Sequence, residues 1–421
     1  MKSLRTILLA SAVALCICSC ARTLSVSLTT TLPSTLNPNR TDAYAVSLTL
    51  PFSAFDDATV FNKHLAMVSL MQAIKTTNQR TITAFFESLG FDTITSKENY
   101  DDSSVMNTIS FCFAHKTIGT DDIVAVALRG FGYGAEWGSN FMIGEHGDHE
   151  GFASAANSVY TALRTYITAH YSAAEKDGRL KLWITGYSRG GAVADVLSYL
   201  ILSDAEKALS IAQKQVFVYT FNTPRALIKA HAIAYPNVYN CISAADLFTY
   251  IAPESYGLYR CGTDKVLFLS KKDDYTEQQR ADGTIVCTTS IDAALRAFDN
   301  GIMLPPFLPQ PAYATEQELI TLFLHLLTES DPSAPDDTLP LTRERYTALI
   351  QPQIARHAND IQGMDDVLAI IMASAQESGS LTQAMPLLAS LTSEENKNLT
   401  RILAMHQPEV IYVLLDNLAL N

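Results

Sequence analysis

Apolar residues follow two different periods along the chain, and each period predicts a different kind of element. Residues 123–128 read Ile-Val-Ala-Val-Ala-Leu, a continuous apolar run that is typical of a strand buried on both faces. Similar patterns predict strands at 44–50, 108–114, 182–185 and 216–221, and helices at 59–76, 81–89, 151–170 and 190–202. Apolar strands that alternate with amphipathic helices predict an α/β fold, a mostly parallel sheet with helices on both faces.

The pattern changes after about residue 290. Helical periods such as 316–327 and 364–375 then follow one another between Pro-rich connectors, and we predict no strand there. We therefore expect an α/β core over residues 44–290 and a helical insertion over 291–400, which is either a lid over a site or a structural appendage. Residues 401–421 are predicted to return to the core as a loop and a final helix.

Residues 1–20 have the composition of an export signal. Lys2 and Arg5 precede twelve mostly apolar residues, 7–18, a stretch too short to span a bilayer. The segment ends in Ile-Cys-Ser-Cys, which resembles the bacterial lipoprotein box, where the last Cys is acylated after cleavage. The resemblance implies a lipid anchor at Cys20 and a place in the bacterial cell envelope. The alternatives are an ordinary secretory signal, and hence secretion, or a buried apolar strand.

The stretch that follows the signal differs from the rest of the chain. Residues 21–43 are rich in Thr, Ser, Pro and Asn and show no apolar period. Such a composition predicts a tether between the anchor and the core.

Composition and charge narrow the class of protein. Hydrophobic residues make up 48% of the 421 residues and charged residues 17%, which suits a large packed core and excludes a disordered chain. The formal net charge is −13 at pH 7. An acidic body of this kind argues against nucleic-acid binding.

Cysteines give no sign of a metal site. The chain has seven, at positions 16, 18, 20, 112, 241, 261 and 287, and the last four lack Cys-x-x-Cys spacing. Export would permit disulfides among Cys241, Cys261 and Cys287, whereas free buried thiols are the alternative.

One motif joins a predicted strand directly to a predicted helix. Residues 182–194 read Leu-Trp-Ile-Thr-Gly-Tyr-Ser-Arg-Gly-Gly-Ala-Val-Ala, with Gly-x-Ser-x-Gly at the junction, which is the context of a nucleophile elbow. The small glycines let strand and helix approach each other. The hydroxyl of Ser188 would stand at the helix N-terminus, where the positive end of the dipole helps to stabilise an oxyanion. We predict Ser188 as the nucleophile; the alternative is a serine in a tight turn.

Further blocks surround this motif in order. Arg-Gly-Phe ends the strand at 129–131, a Trp follows at 137, and His-Glu-Gly-Phe opens a helix at 149–152. Later blocks are Tyr-Thr-Phe-Asn-Thr-Pro-Arg at 219–225 and an apolar strand followed by Asp and Pro within 237–253. With the elbow, these blocks resemble the class 3, fungal-type lipase family over about residues 105–270 and weakly over the last dozen residues.

The resemblance implies an α/β-hydrolase fold and a Ser-His-Asp triad that needs neither metal nor cofactor. It places the triad acid at Asp246, which follows the apolar strand, and the two oxyanion-hole amides at Phe131 and Arg189. An Asp that caps a turn, and an ordinary Gly-rich loop at 130–134, are the alternatives.

The chain departs from the family pattern at several positions. Tyr187 stands where the family usually has His, Arg189 where it often has Leu, and Arg260 where it commonly has a non-catalytic His. Phe131 has no hydroxyl to offer an oxyanion. Because one missing donor is worth roughly 3–4 kcal/mol of transition-state stabilisation, we expect lower activity than in a lipase with the hydroxyl.

Three histidines follow Asp246 in the order that a triad base requires, so the base stays open among them. His325 lies inside an apolar helical pattern, as a packed core histidine would. His357 falls between two helical patterns. His406 is preferred because Pro408 makes a good helix start, which puts His406 on a loop just before the final helix.

These observations predict a serine ester hydrolase that acts through an acyl-enzyme on acylglycerols or other carboxylic esters. Thioesterase and amidase chemistry need the same residues and stay open. A non-catalytic surface lipoprotein that uses a hydrolase fold for binding also stays open, because a fold does not determine a function. The expected partners are a lipid or ester substrate and the membrane that holds the anchor, and the oligomeric state is not indicated.

Overall fold

The computed structural model describes residues 25–32, 44–96, 100, 106–130, 134, 136–203, 209–243, 246–250, 252, 254–270, 276–279, 285–290, 343–349, 351–358, 360–361, 366 and 406–416. The predicted signal with Cys20, the predicted core histidine His325 and most of the predicted insertion lie outside these residues.

The strands are β1 (Ser25–Leu32), β2 (Tyr44–Pro51), β3 (Thr93–Ser96), β4 (Phe111–Ile118), β5 (Asp121–Leu128), β6 (Leu180–Tyr187), β7 (Val216–Phe221), β8 (Leu227–Ile228), β9 (Val238–Ser243), β10 (Leu258–Tyr259), β11 (Thr263–Ser270), β12 (Thr276–Gln279) and β13 (Ile285–Ser290). The helices are α1 (Lys63–Lys75), α2 (Gln79–Ser88), α3 (Glu136–Ser139), α4 (Glu150–His170), α5 (Ser172–Lys176), α6 (Arg189–Leu202), α7 (Arg343–Leu349), α8 (Gln351–Arg356) and α9 (Pro408–Asp416).

Within the described part of the chain, nine strands form one sheet in the order β12-β13-β11-β9-β7-β6-β5-β4-β3. The strands from β5 to β13 in this order pair in parallel, apart from the antiparallel edge strand β12. At the other edge, β4 and β3 add antiparallel ladders. The predicted mostly parallel sheet of an α/β-hydrolase fold is confirmed.

The central strands β5, β6, β7 and β9 are buried on both faces of the sheet, which explains their largely apolar sequences. In β5, Ile123, Ala125 and Ala127 face a layer that contains α1, α2 and α9. Val124, Val126 and Leu128 face the other layer, where α4 and α6 pack. A strand covered on both sides has no polar face, and this is why 123–128 lacks alternation.

Helix boundaries follow capping side chains rather than hydrophobicity alone. The predicted helix 59–76 begins later, at Lys63, because the Asn62 side chain accepts a hydrogen bond from the Leu65 amide at 3.0 Å. Asn78 caps α2 in the same way through the Thr81 amide. The helix therefore starts where the first unpaired amides find an acceptor.

The predicted tether over 21–43 is wrong for residues 25–32. These residues form β1 and pair antiparallel with β2 along its whole length, from Ser25 opposite Pro51 to Leu32 opposite Tyr44. Val26, Leu28 and Leu32 recur at even positions among Ser and Thr, a period of two that fits a strand. Thr is also a good strand former, because its branched side chain packs on a pleated surface.

Two helices from the predicted insertion dock firmly on the core. The buried Arg343 of α7 donates hydrogen bonds to the carbonyls of Gly144 at 2.6 Å and Gly147 at 2.8 Å. The Tyr346 hydroxyl donates to the Phe141 carbonyl at 2.9 Å. These buried polar contacts hold α7 against the core.

Cys112 and Cys261 are free, buried thiols, and Cys241 is buried as well. Of the two possibilities, a disulfide or a free buried thiol, the structure shows the second for Cys261. Within the described residues, no helix is both long and apolar enough to cross a bilayer.

Candidate active site

The predicted elbow lies between β6 and α6, with Ser188 in a strained backbone conformation. Its φ is 52° and its ψ is −123°, in the region that favours glycine, which costs a non-Gly residue about 1–3 kcal/mol. The Ser188 amide donates to the Phe221 carbonyl at 2.8 Å, which anchors the turn to β7. A Cβ on Gly186 would overlap the Gly190 carbonyl, and one on Gly190 would lie 2.7 Å from the Leu128 oxygen. The two glycines are therefore sterically required.

The side chains of Ser188, His406 and Asp246 form one hydrogen-bonded chain. His406 Nε2 lies 2.9 Å from Ser188 Oγ, and His406 Nδ1 lies 2.6 Å from Asp246 Oδ2. Since a carboxylate oxygen accepts, Nδ1 carries the proton and donates the hydrogen bond to Asp246 Oδ2. Nε2 is then the acceptor that faces the serine hydroxyl, as a general base must be.

Asp246 is held rigidly behind the imidazole. Its side chain is fully buried, and its second oxygen, Oδ1, accepts the Phe248 amide at 2.9 Å. The Phe248 ring packs against the His406 ring with centroids 4.3 Å apart. A buried carboxylate with both oxygens in use fixes the orientation and tautomer of the histidine ring.

The other predicted site residues that the structure describes do not contact Ser188 in the way that His406 does. His357 lies just beyond α8 with 46% of its side chain exposed, and its Nδ1 is 3.5 Å from Asp360 Oδ2. The position beside Ser188 belongs to His406 instead. Phe131 lies outside the described residues, like His325. Arg189 is the first residue of α6, so its amide belongs to the helix N-terminus that an oxyanion would face.

The Arg189 side chain points into a buried ion cluster with Glu136 and Arg129. Arg129 Nη2 lies 3.0 Å from Glu136 Oε1, and Arg189 Nε lies 3.9 Å from Glu136 Oε2, with all three side chains at most 2% exposed. The cluster joins the end of β5, the helix α3 and the start of α6. It therefore fixes the chain on both sides of the predicted oxyanion loop.

Glu136→Gln is expected to lower the free energy of unfolding by roughly 3 kcal/mol, because two buried guanidinium groups then lose their shared carboxylate. Denaturant unfolding measures this change. Asp177→Asn is the matched control, since the Asp177 side chain is 63% exposed in its pair with Arg179 and should contribute less than about 1 kcal/mol. Equal stability of the Glu136 variant and the wild type would contradict an ionic role for the cluster.

His149, from the helix-start block, is a buried neutral histidine. Its Nε2 donates to the Asn140 carbonyl at 3.1 Å, and its ring stacks on Phe152 with centroids 3.9 Å apart. Burial, aided by the charge of Arg189, lowers the pKa of His149 to about 3. The ring is neutral at neutral pH and packs as part of the scaffold.

This burial predicts a pH dependence of stability. Between an ordinary pKa near 6.5 and the folded value of about 3, the unfolded chain binds a proton at His149 that the folded protein does not. The free energy of unfolding therefore falls as the pH drops below 6.5, by up to roughly 1.4 kcal/mol per pH unit. His149→Gln should flatten this slope in unfolding curves between about pH 6 and 4. His146→Gln, at an 81% exposed side chain, should leave the slope unchanged, and equal slopes for both variants would refute the prediction.

Arg260 supports the turn that carries the acid. Its Nη1 donates to the Thr249 carbonyl at 2.8 Å, and its guanidinium pairs with Asp264 at 2.7 Å. The Thr249 hydroxyl in turn donates to the Asp246 carbonyl at 2.8 Å. Arg260 thus supports the main chain at Asp246.

Comparison with known protein families gives a match in the central part of the chain. A family model described as Lipase (class 3) matches residues 129–256, less than a third of the 421 residues. A search of curated proteins finds no match. Among the described residues, no group of three or more His, Cys, Asp or Glu side chains could hold a metal ion.

Similar solved structures include three fungal lipases. The Rhizomucor miehei triacylglyceride lipase is 16% identical with a TM-score of 0.35, over 48% of this chain and 78% of that one. The Rhizopus microsporus var. chinensis lipase is 18% identical with a TM-score of 0.34, over 56% and 82%. The Yarrowia lipolytica Lip2 lipase is 13% identical with a TM-score of 0.35, over 53% and 82%.

Proposed function

We propose that this chain is a serine hydrolase of the lipase type that cleaves carboxylic esters, acylglycerols among them, through an acyl-enzyme. One observation carries the proposal. His406 Nε2 lies 2.9 Å from the hydroxyl of Ser188, while its Nδ1 is bonded to the buried carboxylate of Asp246. The match of residues 129–256 to the Lipase (class 3) model supports the ester substrate class.

The first half of the reaction transfers the acyl group to the enzyme. His406 Nε2 takes the Ser188 proton as Oγ attacks the ester carbonyl, and the carbonyl oxygen becomes an oxyanion. Asp246 stabilises the imidazolium that forms. As the carbon–oxygen bond to the alcohol breaks, the imidazolium gives its proton to the leaving alcohol, which departs and leaves an acyl ester on Ser188.

The second half repeats these steps with water. His406 accepts a proton from the water that attacks the acyl carbonyl, and then returns the proton to Ser188 Oγ as the acid leaves. We propose the amides of Phe131 and Arg189 as oxyanion donors in both halves. Because Phe131 has no hydroxyl, these donors are main-chain groups alone, aided by the positive end of α6.

A proposal for the cellular site rests on the N-terminal sequence. We propose that residues 1–20 direct export and that Cys20 carries a lipid anchor in the bacterial cell envelope. An anchored enzyme meets esters at a lipid surface, which suits acylglycerol substrates. The resemblance of residues 17–20 to the lipoprotein box supports the proposed anchor.

A substrate panel tests the reaction class. The purified protein is given p-nitrophenyl esters of rising acyl length, together with a thioester and an anilide of the acyl group that is cleaved best. We expect turnover of the esters, with the thioester and the anilide slower. Faster thioester or anilide cleavage would reassign the chemistry, and no turnover of any member would favour a binding module on a hydrolase fold.

A further inference from the structure

Tyr187, the last residue of β6, connects the nucleophile elbow to the main chain of the predicted base. Its side chain is fully buried, and its hydroxyl donates to the His406 carbonyl at 2.6 Å. The rings of Tyr187 and His406 also meet edge to face, with centroids 5.6 Å apart. The residue directly before the nucleophile therefore holds the residue that must activate it.

The same hydroxyl links the base to the strand that leads to the acid. Asn222 Nδ2 donates to the Tyr187 hydroxyl at 3.1 Å, and Asn222 Oδ1 accepts the Ser243 amide at 2.9 Å. Ser243 ends β9, three residues before Asp246. A chain of hydrogen bonds thus runs behind the triad through Ser243, Asn222, Tyr187 and His406.

His406 needs such an anchor because it enters the site from a separate segment. It lies on the turn just before α9, whose apolar residues Val410 and Leu414 pack on the sheet face that also holds Tyr187. Packing of α9 fixes the helix, but it does not by itself fix the turn in front of it. The hydrogen bonds of the imidazole restrain the His406 ring, whereas the hydrogen bond from Tyr187 restrains the His406 main chain.

We propose that Tyr187 is a positioning residue of the triad, whose hydroxyl holds the His406 main chain where the ring reaches both Ser188 and Asp246. The inference rests on the proposed function. It also gives a use to the Tyr at the position where the family usually has His. Loss of the hydroxyl leaves the three triad side chains chemically intact but lets the turn that carries His406 shift. A misplacement of about 1 Å costs about 100-fold in rate.

Tyr187→Phe removes only this hydroxyl, and the structure offers a matched control. Tyr100 is also fully buried, and its hydroxyl donates to the Thr76 carbonyl at the same 2.6 Å. Tyr100→Phe therefore deletes a buried hydroxyl-to-carbonyl hydrogen bond of the same length away from the triad, while Tyr187→Phe also removes the acceptor of the Asn222 amide. Thermal midpoints of both variants show the general structural cost, which we expect to be similar.

The measurements are kcat and KM for a good ester and the rate of labelling by a fluorophosphonate. We expect Tyr187→Phe to lose about 10- to 100-fold in kcat and in labelling rate, with KM within about two-fold of wild type. Tyr100→Phe should keep both rates. A Tyr187 variant as fast as wild type, or a Tyr100 variant equally slowed, overturns the positioning role while the hydrolase proposal stands. A wild type that neither cleaves esters nor reacts with the probe overturns both.

Discussion

Ser188→Ala is expected to lower kcat for ester hydrolysis by about 10⁴- to 10⁶-fold while KM changes by no more than a few fold. The hydroxyl is the atom that becomes acylated, so its loss removes the covalent path and not the binding of the ester. The residual rate would come from direct attack of water on the bound ester, with the oxyanion donors stabilising the transition state. Initial rates with the best ester of the panel measure the effect.

Ser198→Ala is the control for this substitution. Ser198 lies on the same helix, α6, is fully buried, and donates its hydroxyl to the Ala194 carbonyl at 2.6 Å. Its variant should keep kcat within about two-fold, because the hydroxyl bonds within its own helix. If Ser188→Ala retained the wild-type rate, another residue would have to be the nucleophile.

His406→Ala is expected to lower kcat by at least about 10⁴-fold, since no other described group lies in hydrogen-bond contact with the Ser188 hydroxyl to take its proton. The matched control is His357→Ala, which changes an exposed histidine of the same predicted set. It should leave kcat and KM unchanged. A large loss on changing His357, with none on changing His406, would mean that the base comes from elsewhere in the chain.

Local sequence was sufficient for the central strands and the elbow. β5, β6 and β7 contain the strands predicted at 123–128, 182–185 and 216–221, because strands buried on both faces are rich in apolar residues. The elbow was predictable because close approach of strand and helix excludes side chains at Gly186 and Gly190. These features depend on neighbours within a few residues.

The base could not be chosen from local sequence alone. His406 contacts Asp246 across 160 residues of chain. Tertiary contacts, the packing of α9 on the sheet and the Tyr187 hydrogen bond, bring the two together. The Pro408 helix start indicates a loop at His406 but says nothing about what that loop contacts. His357 satisfies a similar local pattern and lies on the surface instead.

Pairing partners explain the other differences. β1 has the composition of a linker, and it becomes a strand because β2 supplies its hydrogen-bond partners. Glu136 belongs to no sequence motif that would predict its role, yet its carboxylate lies between two buried arginines, Arg129 and Arg189. At Tyr187 the departure from the family pattern was visible in the sequence, whereas the His406 carbonyl that it binds was not.

The most direct test of the triad is fluorophosphonate labelling followed by peptide mass spectrometry of the wild type and His406→Ala. The probe reacts only with a serine whose proton can be taken up by a base. We predict one adduct, on Ser188, in the wild type and its loss in the His406 variant. An unlabelled Ser188 in a protein that still cleaves esters, or labelling that persists without His406, would contradict a triad of Ser188, His406 and Asp246.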